Sequence, residues 1–289
     1  MRFFSAAASG VAVSVSDAIE RFDLLELAVD LAAGTLTFGT GSGIVWDSEA
    51  DAEYDECLLK ASVLERRLPA FDLLETLRWT RAEGFVLLDR HLARLAQSAE
   101  YFDVPVDLAA IRLSLARAVD GGEEPLRVRL LVACDGTVRV ESQPLRPTAV
   151  PLVATFAARP VDTTSPFLFH KTTHRSHYTQ AQVAGADETI LWNRDGEVTE
   201  GLTTNIVAEI DGTRLTPPMR CGLLPGTYRA ELIDRGEIRE AVISKSALER
   251  ADRIWLINSV HGSRPAELRT LQSGPRVERA EYAGSAKPE

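Results

Sequence analysis

Three turn motifs between β-prone segments most constrain the fold of this chain. Asp135–Gly136 separates LRVRLLVA from TVRVES, Arg194–Gly196 separates ETILWN from EVTE, and Asp211–Gly212 separates NIVAEI from TRLTP. Asp-Gly pairs between such segments favour tight hairpin turns. Because hairpins join antiparallel strands, the chain does not follow the strict strand–helix alternation of a parallel sheet. The sequence therefore predicts an α+β protein with two lobes and a cleft between them.

Changes in composition along the chain predict four parts. These are an N-terminal extension (1–66), a small α+β lobe (67–148), a large lobe (149–264) and a mobile tail rich in Arg, Glu, Gly, Pro and Ser (265–289). Helical spacing of apolar residues and capping signals predict helices at 17–32, 48–66, 89–104, 107–122 and 246–252. The last of these carries a capping box formed by Ser246 and Glu249.

The charge balance narrows the classes of function. The chain has 32 Lys and Arg against 42 Asp and Glu, a net charge of −10, which argues against a general nucleic-acid binder but permits a local basic pocket. No apolar run approaches the ~20 residues of a membrane span. The segment Met1–Ala18 resembles a secretory signal only weakly, so an irregular or strand-like start is preferred. Three cysteines without disulfide or metal-ligand spacing favour a reducing compartment, here the cytoplasm.

Lys171 is the sharpest local feature of the sequence. It follows the apolar run Phe167–Phe169 and precedes a polar, helix-like stretch. A lysine at such an edge is partly desolvated, which lowers its pKa and favours the neutral, nucleophilic amine. Taken alone, the pattern is more often that of a surface lysine whose stem packs on apolar neighbours.

Three further residues suggest a site that binds both an anion and a nitrogen-containing ring. Glu200 ends a hairpin strand beside a hydroxyl-rich turn, where an acid could bond a protonated ring nitrogen. Thr227 opens a helix after a Pro-Gly turn, and free N–H groups at a helix start bind anions. Arg94 could reach a phosphate. Taken alone, Glu200 also fits an exposed acid at a strand end, Thr227 an ordinary helix start, and Arg94 a solvated helix charge.

Together these features occur in the order of a known family. The segments are ETLR, LLDRHLARLAQSA, HKTTHRSHY, GEVTEGLTTNIV, CGLLPGTYRAEL and LINSVHG, over residues 69–262, about two thirds of the chain. The sequence resembles the fold-type IV pyridoxal 5′-phosphate (PLP) enzymes, which include branched-chain and D-amino-acid aminotransferases and 4-amino-4-deoxychorismate lyase. The resemblance implies a two-lobed fold, PLP as cofactor, a small-molecule substrate, and a homodimer with its active sites near the subunit boundary.

The resemblance also implies roles for individual residues. Lys171 matches the lysine that binds the cofactor covalently, Glu200 the acid at the pyridine nitrogen, and Arg94 the arginine at the phosphate. The remaining cofactor positions are the backbone N–H groups of Thr227 and Tyr228, the hydroxyl of Thr204, and the turn at Asn258 and Ser259. Tyr228 departs from the small aliphatic residue expected there, which puts the local packing in doubt.

The resemblance assigns the substrate-binding residues less precisely than the cofactor-binding residues. Thr76 matches, loosely by one residue, a position that helps to protonate the leaving group. Arg127 and Arg129 share one strand face and either meet a substrate carboxylate or form a solvated face. His170, His174 and His177 have a spacing that metal ligands could use, but Lys171 lies among them without an acidic or cysteine partner, so no metal is predicted.

The N-terminal extension carries a second resemblance. Residues 33–61 are similar to the closing strand and helix of chorismate-utilising enzymes such as aminodeoxychorismate synthase component I, which is fused in front of the lyase in some proteins. The synthase core is missing from this chain, so Glu53 and Glu56 are interpreted as solvated helix charges and no synthase activity is predicted. A separate synthase partner stays open.

Three functions remain in competition at this level. The favoured one is a 4-amino-4-deoxychorismate lyase that yields 4-aminobenzoate and pyruvate in folate biosynthesis. A class IV aminotransferase acting on branched-chain or D-amino acids would use the same cofactor residues. A degenerate, non-catalytic member is the third hypothesis, against which the joint presence of Lys171, Glu200 and Arg94 argues.

Overall fold

The structure is a computed structural model that describes residues 3–6, 11–14, 26–30, 35–39, 46, 48–61, 68–121 and 124–271. In the N-terminal extension, two antiparallel pairs precede one helix. Their bounds are β1 Phe3–Ala6, β2 Val11–Ser14, β3 Glu26–Asp30, β4 Thr35–Gly39 and α1 Ala50–Ala61. The helix α1 lies inside the predicted range 48–66.

The predicted helix over 17–32 is wrong for Glu26–Asp30, which forms β3. Leu27 and Val29 recur with a period of two, and the segment pairs in register with β4, from Glu26 opposite Gly39 to Asp30 opposite Thr35. Cross-strand pairing therefore outweighs the helical spacing of apolar residues that suggested a helix. The rest of that predicted helix lies outside the described residues.

The small lobe is a four-stranded antiparallel sheet in the order β6–β5–β7–β8, covered on one face by two helices. The bounds are β5 Leu73–Thr80, β6 Gly84–Phe85, α2 Leu88–Phe102, α3 Leu108–Ala118, β7 Leu126–Val132 and β8 Val138–Pro144. Both predicted helices and the hairpin around Asp135–Gly136 are confirmed. Leu73 and Leu77 of β5 pack with Leu92 and Leu95 of α2 in the core. The opposite face of β5 and β7 is turned toward the cleft.

The large lobe is an eight-stranded mixed sheet in the order β11–β10–β9–β16–β15–β12–β13–β14. Its strands are β9 Leu152–Phe156, β10 Glu188–Trp192, β11 Val198–Gly201, β12 Asn205–Ile210, β13 Thr213–Thr216, β14 Arg239–Glu240, β15 Arg253–Asn258 and β16 Gly262–Leu268. Its helices are α4 Ser176–Ala181, α5 Thr227–Asp234 and α6 Lys245–Glu249. The two predicted hairpins, β10–β11 and β12–β13, are confirmed as antiparallel pairs.

Two expectations for the C-terminal region are corrected. The predicted tail begins at residue 265, but Gly262–Leu268 forms β16, which pairs with both β15 and β9. Ser263, Pro265 and Glu267 are exposed, while Ala266 and Leu268 on the other face pack on the core. The exposed polar residues and the proline disguised the strand as a tail. The predicted capping box is also wrong, since Ser244 rather than Ser246 caps α6 and its Oγ accepts from the Ala247 N–H at 3.1 Å. Residues 272–289 lie outside the described residues.

In the part of the chain that the structure describes, no helix combines the length and the apolar character needed to cross a membrane.

Candidate active site

A cavity of about 470 Å³ lies between the two lobes, bounded by β5 and β7 on one side and by the large-lobe sheet and the start of α5 on the other. All of the residues singled out from the sequence as site residues line it: Thr76, Arg94, Arg127, Arg129, Lys171, Glu200, Thr204, Thr227, Tyr228, Asn258 and Ser259. The fold therefore brings together residues that are up to 183 positions apart, from Thr76 to Ser259. Their individual roles stay predictions.

Lys171 is fixed to the small lobe through its backbone. The carbonyl of Lys171 accepts a hydrogen bond from the Leu74 N–H at 2.9 Å, and Thr173 Oγ1 accepts one from the Asp72 N–H at 2.8 Å. Burial, with the positive charges of Arg94 and Arg175, lowers the pKa of Lys171 from 10.5 to about 8. This is the desolvated position that the sequence predicts, and it leaves part of the amine neutral near physiological pH.

Glu200 faces the cavity from the end of β11 and is 3% exposed. Its Oε1 accepts a hydrogen bond from the Tyr178 hydroxyl at 2.6 Å, and its Oε2 accepts one from the Leu224 N–H at 3.2 Å. Burial raises the pKa of Glu200 to about 7. A carboxyl group with that pKa can share a proton with a ring nitrogen at neutral pH.

A second buried acid, Glu188 at the start of β10, shapes the turn that follows Glu200. Its carboxylate accepts from the Leu202 N–H at 2.8 Å, from the Thr203 N–H and hydroxyl at 3.2 and 2.8 Å, and from the Thr204 hydroxyl at 3.2 Å. At Gly201 an added Cβ would collide with Thr204 Oγ1, so the close approach requires glycine. Sequence reasoning missed Glu188, because its partners lie 14 to 16 residues away.

The start of α5 lies at one end of the cavity and carries free backbone N–H groups. An added Cβ at Gly226 would collide with Asn205 Oδ1, so this approach also requires glycine. The first backbone bond into the helix runs from the Ala230 N–H to the Gly226 carbonyl. The N–H groups of Thr227 and Tyr228 therefore precede any intrahelical acceptor and are available to an anion. This geometry depends on the backbone, so the tyrosine at 228 is compatible with it.

Arg94 reaches this end from α2 and is held there by a buried network. Its Nη1 donates to the Pro225 carbonyl at 2.9 Å, and its Nε and Nη2 donate to Glu75 at 2.9 and 2.6 Å. His91 Nδ1 lies 2.7 Å from Glu75 Oε2, and His91 Nε2 lies 2.9 Å from Ser259 Oγ. The network thus joins β5, α2, the turn before α5 and the turn after β15.

Glu75 is the centre of that network and is 1% exposed. Burial acts to raise its pKa, but the charges and hydrogen bonds of Arg94 and His91 outweigh burial and lower it to about 2. Glu75 and His91 were both missed in the sequence. The available signal was an acid on the inward face of β5, between the core residues Leu73 and Leu77, since a buried carboxylate requires a partner.

The turn after β15 is tied to the turn after β11. Asn258 Oδ1 accepts from the N–H groups of Val260 and His261 at 3.1 and 2.8 Å, and Asn258 Nδ2 donates to the Thr203 carbonyl at 3.3 Å. Asn258 therefore acts on the cavity by shaping two adjacent turns. The neighbouring Ser259 is hydrogen-bonded to His91 of the buried network.

The small-lobe side of the cavity is cationic. In the β5–β7 register Thr76 stands opposite Arg129 and Arg78 opposite Arg127. Arg129 pairs with Glu141 at 3.0 Å. Arg127 has no ion-pair partner among the residues that the structure describes, and burial lowers its pKa.

The three histidines near Lys171 contact aromatic rings, and His177 packs on Tyr178. His170 Nδ1 lies 3.0 Å from Ser98 Oγ and its ring stacks on Tyr101, while the His174 ring packs on Phe167. Among the described residues, no group of three or more His, Cys, Asp or Glu side chains is arranged to hold a metal ion.

Two family models match the chain. The model described as amino-transferase class IV matches residues 72–268, which contain both lobes and the cavity. The model described as chorismate binding enzyme matches residues 27–66 of the N-terminal extension. Both resemblances found in the sequence are thereby confirmed.

Individual relatives point to two related activities. A Schizosaccharomyces pombe protein with the provisional name aminodeoxychorismate lyase is 30% identical over 186 residues, 60% of this chain and 80% of its own length. A Thermotoga maritima protein with the provisional name branched-chain-amino-acid aminotransferase is 25% identical over 77% of this chain and 85% of its own. The crystal structure of a provisionally named amino-acid aminotransferase from Mesorhizobium loti is 39% identical, has a TM-score of 0.66, and covers 69% of this chain and 100% of its own.

Proposed function

The chain belongs to the class IV aminotransferase family of PLP-dependent fold-type IV enzymes, and we propose that within it the protein is a 4-amino-4-deoxychorismate lyase. The proposed reaction converts 4-amino-4-deoxychorismate into 4-aminobenzoate and pyruvate. The substrate loses a ring proton and its enolpyruvyl group, and the ring becomes aromatic. No oxidant or second substrate is consumed.

The residues of the cavity fit PLP. Lys171 would hold the cofactor covalently, and Glu200 would hold the pyridine nitrogen. Arg94 and the N–H groups of Thr227 and Tyr228 would hold the phosphate. Gly226 supports this fit because any side chain there would collide with Asn205, so the backbone can approach an anion closely.

The bound cofactor withdraws electrons from the substrate carbon that carries nitrogen, which makes the proton on that carbon acidic. The substrate amine would take the place of Lys171 on the cofactor, and the freed Lys171 amine would then remove this proton. Its lowered pKa of about 8 leaves part of that amine neutral near physiological pH. As the proton leaves, the bond between the neighbouring carbon and the enolpyruvyl oxygen breaks. The departing enolpyruvate takes up a proton and becomes pyruvate. Thr76, which faces the cavity from β5, is proposed to assist that protonation.

The observation that carries the lyase proposal is the charge of the substrate side. Arg127 and Arg129 both line the cavity, and we assign them to the substrate carboxylates. The lyase substrate has two carboxylates, whereas a branched-chain amino acid has one carboxylate and an apolar side chain. Cations in a half-buried surface favour the more anionic substrate. The chorismate-binding match in the same chain supports the same substrate class.

An aminotransferase is the second candidate, and the Mesorhizobium loti and Thermotoga maritima relatives favour it. It would use the same cofactor residues, and the two reactions differ only after the proton has been removed. The transferase would move the amino group to a second substrate and keep the carbon skeleton, whereas the lyase would expel the enolpyruvyl group. The substrate side must therefore decide between them.

The lyase proposal is tested by incubating the PLP-loaded protein with 4-amino-4-deoxychorismate and no 2-oxo acid. We expect equal amounts of 4-aminobenzoate and pyruvate, measured by chromatography and by coupling to lactate dehydrogenase. Parallel assays with branched-chain or D-amino acids and 2-oxoglutarate measure transamination. Transamination without 4-aminobenzoate would refute the lyase proposal and leave the second candidate.

The cofactor assignment has its own test. Borohydride reduction of the PLP-loaded protein, followed by peptide mass spectrometry, should find a phosphopyridoxyl group on the peptide that contains Lys171. Lys171→Ala should abolish this adduct, whereas the control Lys245→Ala, whose ammonium lies over the Trp192 ring, should retain it. An adduct at another lysine would contradict the assignment, and absence of any adduct would favour the degenerate, non-catalytic hypothesis.

The homodimer, the cytoplasmic location, a place in folate biosynthesis and a separate synthase partner stay predictions from the family resemblance. Size-exclusion chromatography with light scattering tests the first of these. Co-purification with a synthase component tests the last.

A further inference from the structure

Two arginines from opposite lobes face the cavity without a direct ion pair to any acid that the structure describes. Arg127 lies on β7 and Arg264 on β16, both are half-buried, and both line the cavity. Neither forms an ion pair with any acid in the described part of the chain, and the Arg264 Nε is buried without a hydrogen-bond partner. Burying a charge without compensation is costly, so such a pair is expected where an anion binds.

Arg264 occupies a position where the strand pattern favours an apolar residue. It shares a face of β16 with Ala266 and Leu268, which pack on the large-lobe core. Burial lowers the pKa of Arg264, although the charges of Glu188 and Asp187 act in the opposite direction. Those two carboxylates already accept hydrogen bonds from the turn at 202–204 and from the Val153 N–H, respectively. The guanidinium of Arg264 is therefore available to a ligand in the cavity.

His261 lies close to both arginines. Burial and the charges of Arg264, Arg127 and Arg78 lower its pKa, so the ring is neutral near pH 7 and offers one N–H donor. Its backbone N–H is bound to Asn258, which fixes the turn that carries the ring. Three donors from the two lobes thus face one region of the cavity.

This region is distinct from the surroundings of Lys171. Leu74, whose N–H binds the Lys171 carbonyl, stands opposite Leu131 in the β5–β7 register. Along β7, Arg129 lies two residues from Leu131 and Arg127 lies four residues from it. Arg127 is therefore about 7 Å farther than Arg129 from the point where the Lys171 backbone is bound. A ligand attached near Lys171 would meet Arg129 first and Arg127 with its far end.

We infer that Arg127, Arg264 and His261 form a second anion subsite, which binds the ring carboxylate of the substrate. The identity of this ligand rests on the proposed lyase function. In 4-amino-4-deoxychorismate the ring carboxylate stands on the carbon opposite the amine-bearing carbon, whereas the enolpyruvyl ether is on the adjacent carbon. The far subsite therefore matches the ring carboxylate, and the nearer Arg129 and Thr76 match the enolpyruvyl group.

The product retains the ring carboxylate and provides the test. The PLP-loaded protein is titrated by calorimetry with 4-aminobenzoate and with its uncharged analogue 4-aminobenzamide. Wild-type protein should bind the benzoate more tightly than the amide. Arg264→Gln should weaken benzoate binding about 10- to 100-fold, the range of one charge-assisted hydrogen bond, and leave amide binding nearly unchanged. The matched control is Arg269→Gln, an exposed arginine that pairs with Glu267 just beyond β16.

Loss of the preference for benzoate in Arg264→Gln, with the preference kept in Arg269→Gln, would support the subsite. An unchanged preference in Arg264→Gln, or equal binding of both probes by wild-type protein, would overturn it. If Arg264→Gln does not fold by circular dichroism, His261→Gln serves as the second variant, and an unchanged preference there overturns the inference.

The lyase function and the anion subsite can fail independently, and the experiments distinguish the two outcomes. A wild-type protein that makes no 4-aminobenzoate from 4-amino-4-deoxychorismate, but prefers benzoate through Arg264, would refute the function and keep the subsite. A protein with lyase activity and no Arg264-dependent preference would keep the function and refute the subsite.

Discussion

Replacing Glu75 by Gln should destabilise the protein and weaken cofactor binding together. The Glu75 carboxylate accepts two hydrogen bonds from Arg94 and contacts His91 at 2.7 Å, and all three side chains are buried. Gln keeps the shape but leaves the Arg94 guanidinium without a counter-ion. Removing one partner of a buried ion pair costs roughly 3 to 5 kcal/mol of unfolding free energy.

The pKa of Glu75 gives an independent magnitude and a pH window. Its pKa falls from 4.5 to about 2 in the folded protein, which corresponds to about 3 kcal/mol. Because the folded pKa is depressed, this stability is fully present above pH 4.5. It is lost progressively as the pH falls from about 4.5 toward 2. Glu75→Gln should lack that component of the acid sensitivity.

The assay is urea unfolding of wild-type protein and Glu75→Gln between pH 7 and pH 3, with PLP affinity measured by absorbance at pH 7. We expect the unfolding free energy to fall by about 3 kcal/mol and PLP to bind more weakly, since Arg94 loses its fixed position. The matched control is Asp89→Asn on the same helix, whose ion pair with Arg112 is largely exposed and should contribute under about 1 kcal/mol. A loss in Glu75→Gln no larger than in this control would refute the reasoning.

Three further predictions concern the cofactor side. Gly226→Ala should lower PLP affinity and stability, because the new Cβ would collide with Asn205 Oδ1; unchanged thermal unfolding and PLP titration curves would contradict the close approach. In the PLP-free protein, acetylation of Lys171 followed by mass spectrometry should be half-maximal near pH 8; a midpoint near 10 would show that the amine is not desolvated. Tyr178→Phe removes a hydrogen bond that lowers the pKa of Glu200, so the pKa of Glu200 should rise. The pH titration of the cofactor absorbance should then shift to higher pH. An unshifted titration would show that the Tyr178 hydroxyl does not act on Glu200.

The elements that the sequence predicted are those defined by local signals. All three hairpins follow from Asp-Gly turns between β-prone segments, and they appear as β7–β8, β10–β11 and β12–β13. The errors arose where non-local pairing decided the structure. β3 is a strand because β4 pairs with it, and β16 is a strand because it fills the space between β15 and β9.

The cofactor side of the cavity could be predicted because its segments, each weak alone, occur in the order of the family that the sequence resembles. The structure places Thr227 and Tyr228 at the start of a helix, where the predicted anion site lies. Glu75, His91 and Glu188 could not be found in the same way. Their function in the fold is to hold other residues, through partners 14 to 168 residues away, and no short pattern records such distances.

The substrate side depends on register, which the sequence leaves undetermined. Arg78 stands opposite Arg127 across one strand pair, and Glu83 pairs with Arg78 at 3.2 Å. Arg127 lines the cavity without an ion pair among the described residues. The sequence shows Arg127 and Arg264 in separate strands, and only the assembled sheets bring both to one cavity. Since lyase and aminotransferase share the cofactor residues, the choice between them must lie in this cationic face. The substrate class is therefore a property of the assembled lobes, which is why the arginines of the substrate side are a more direct test of the proposed activity than the residues around PLP.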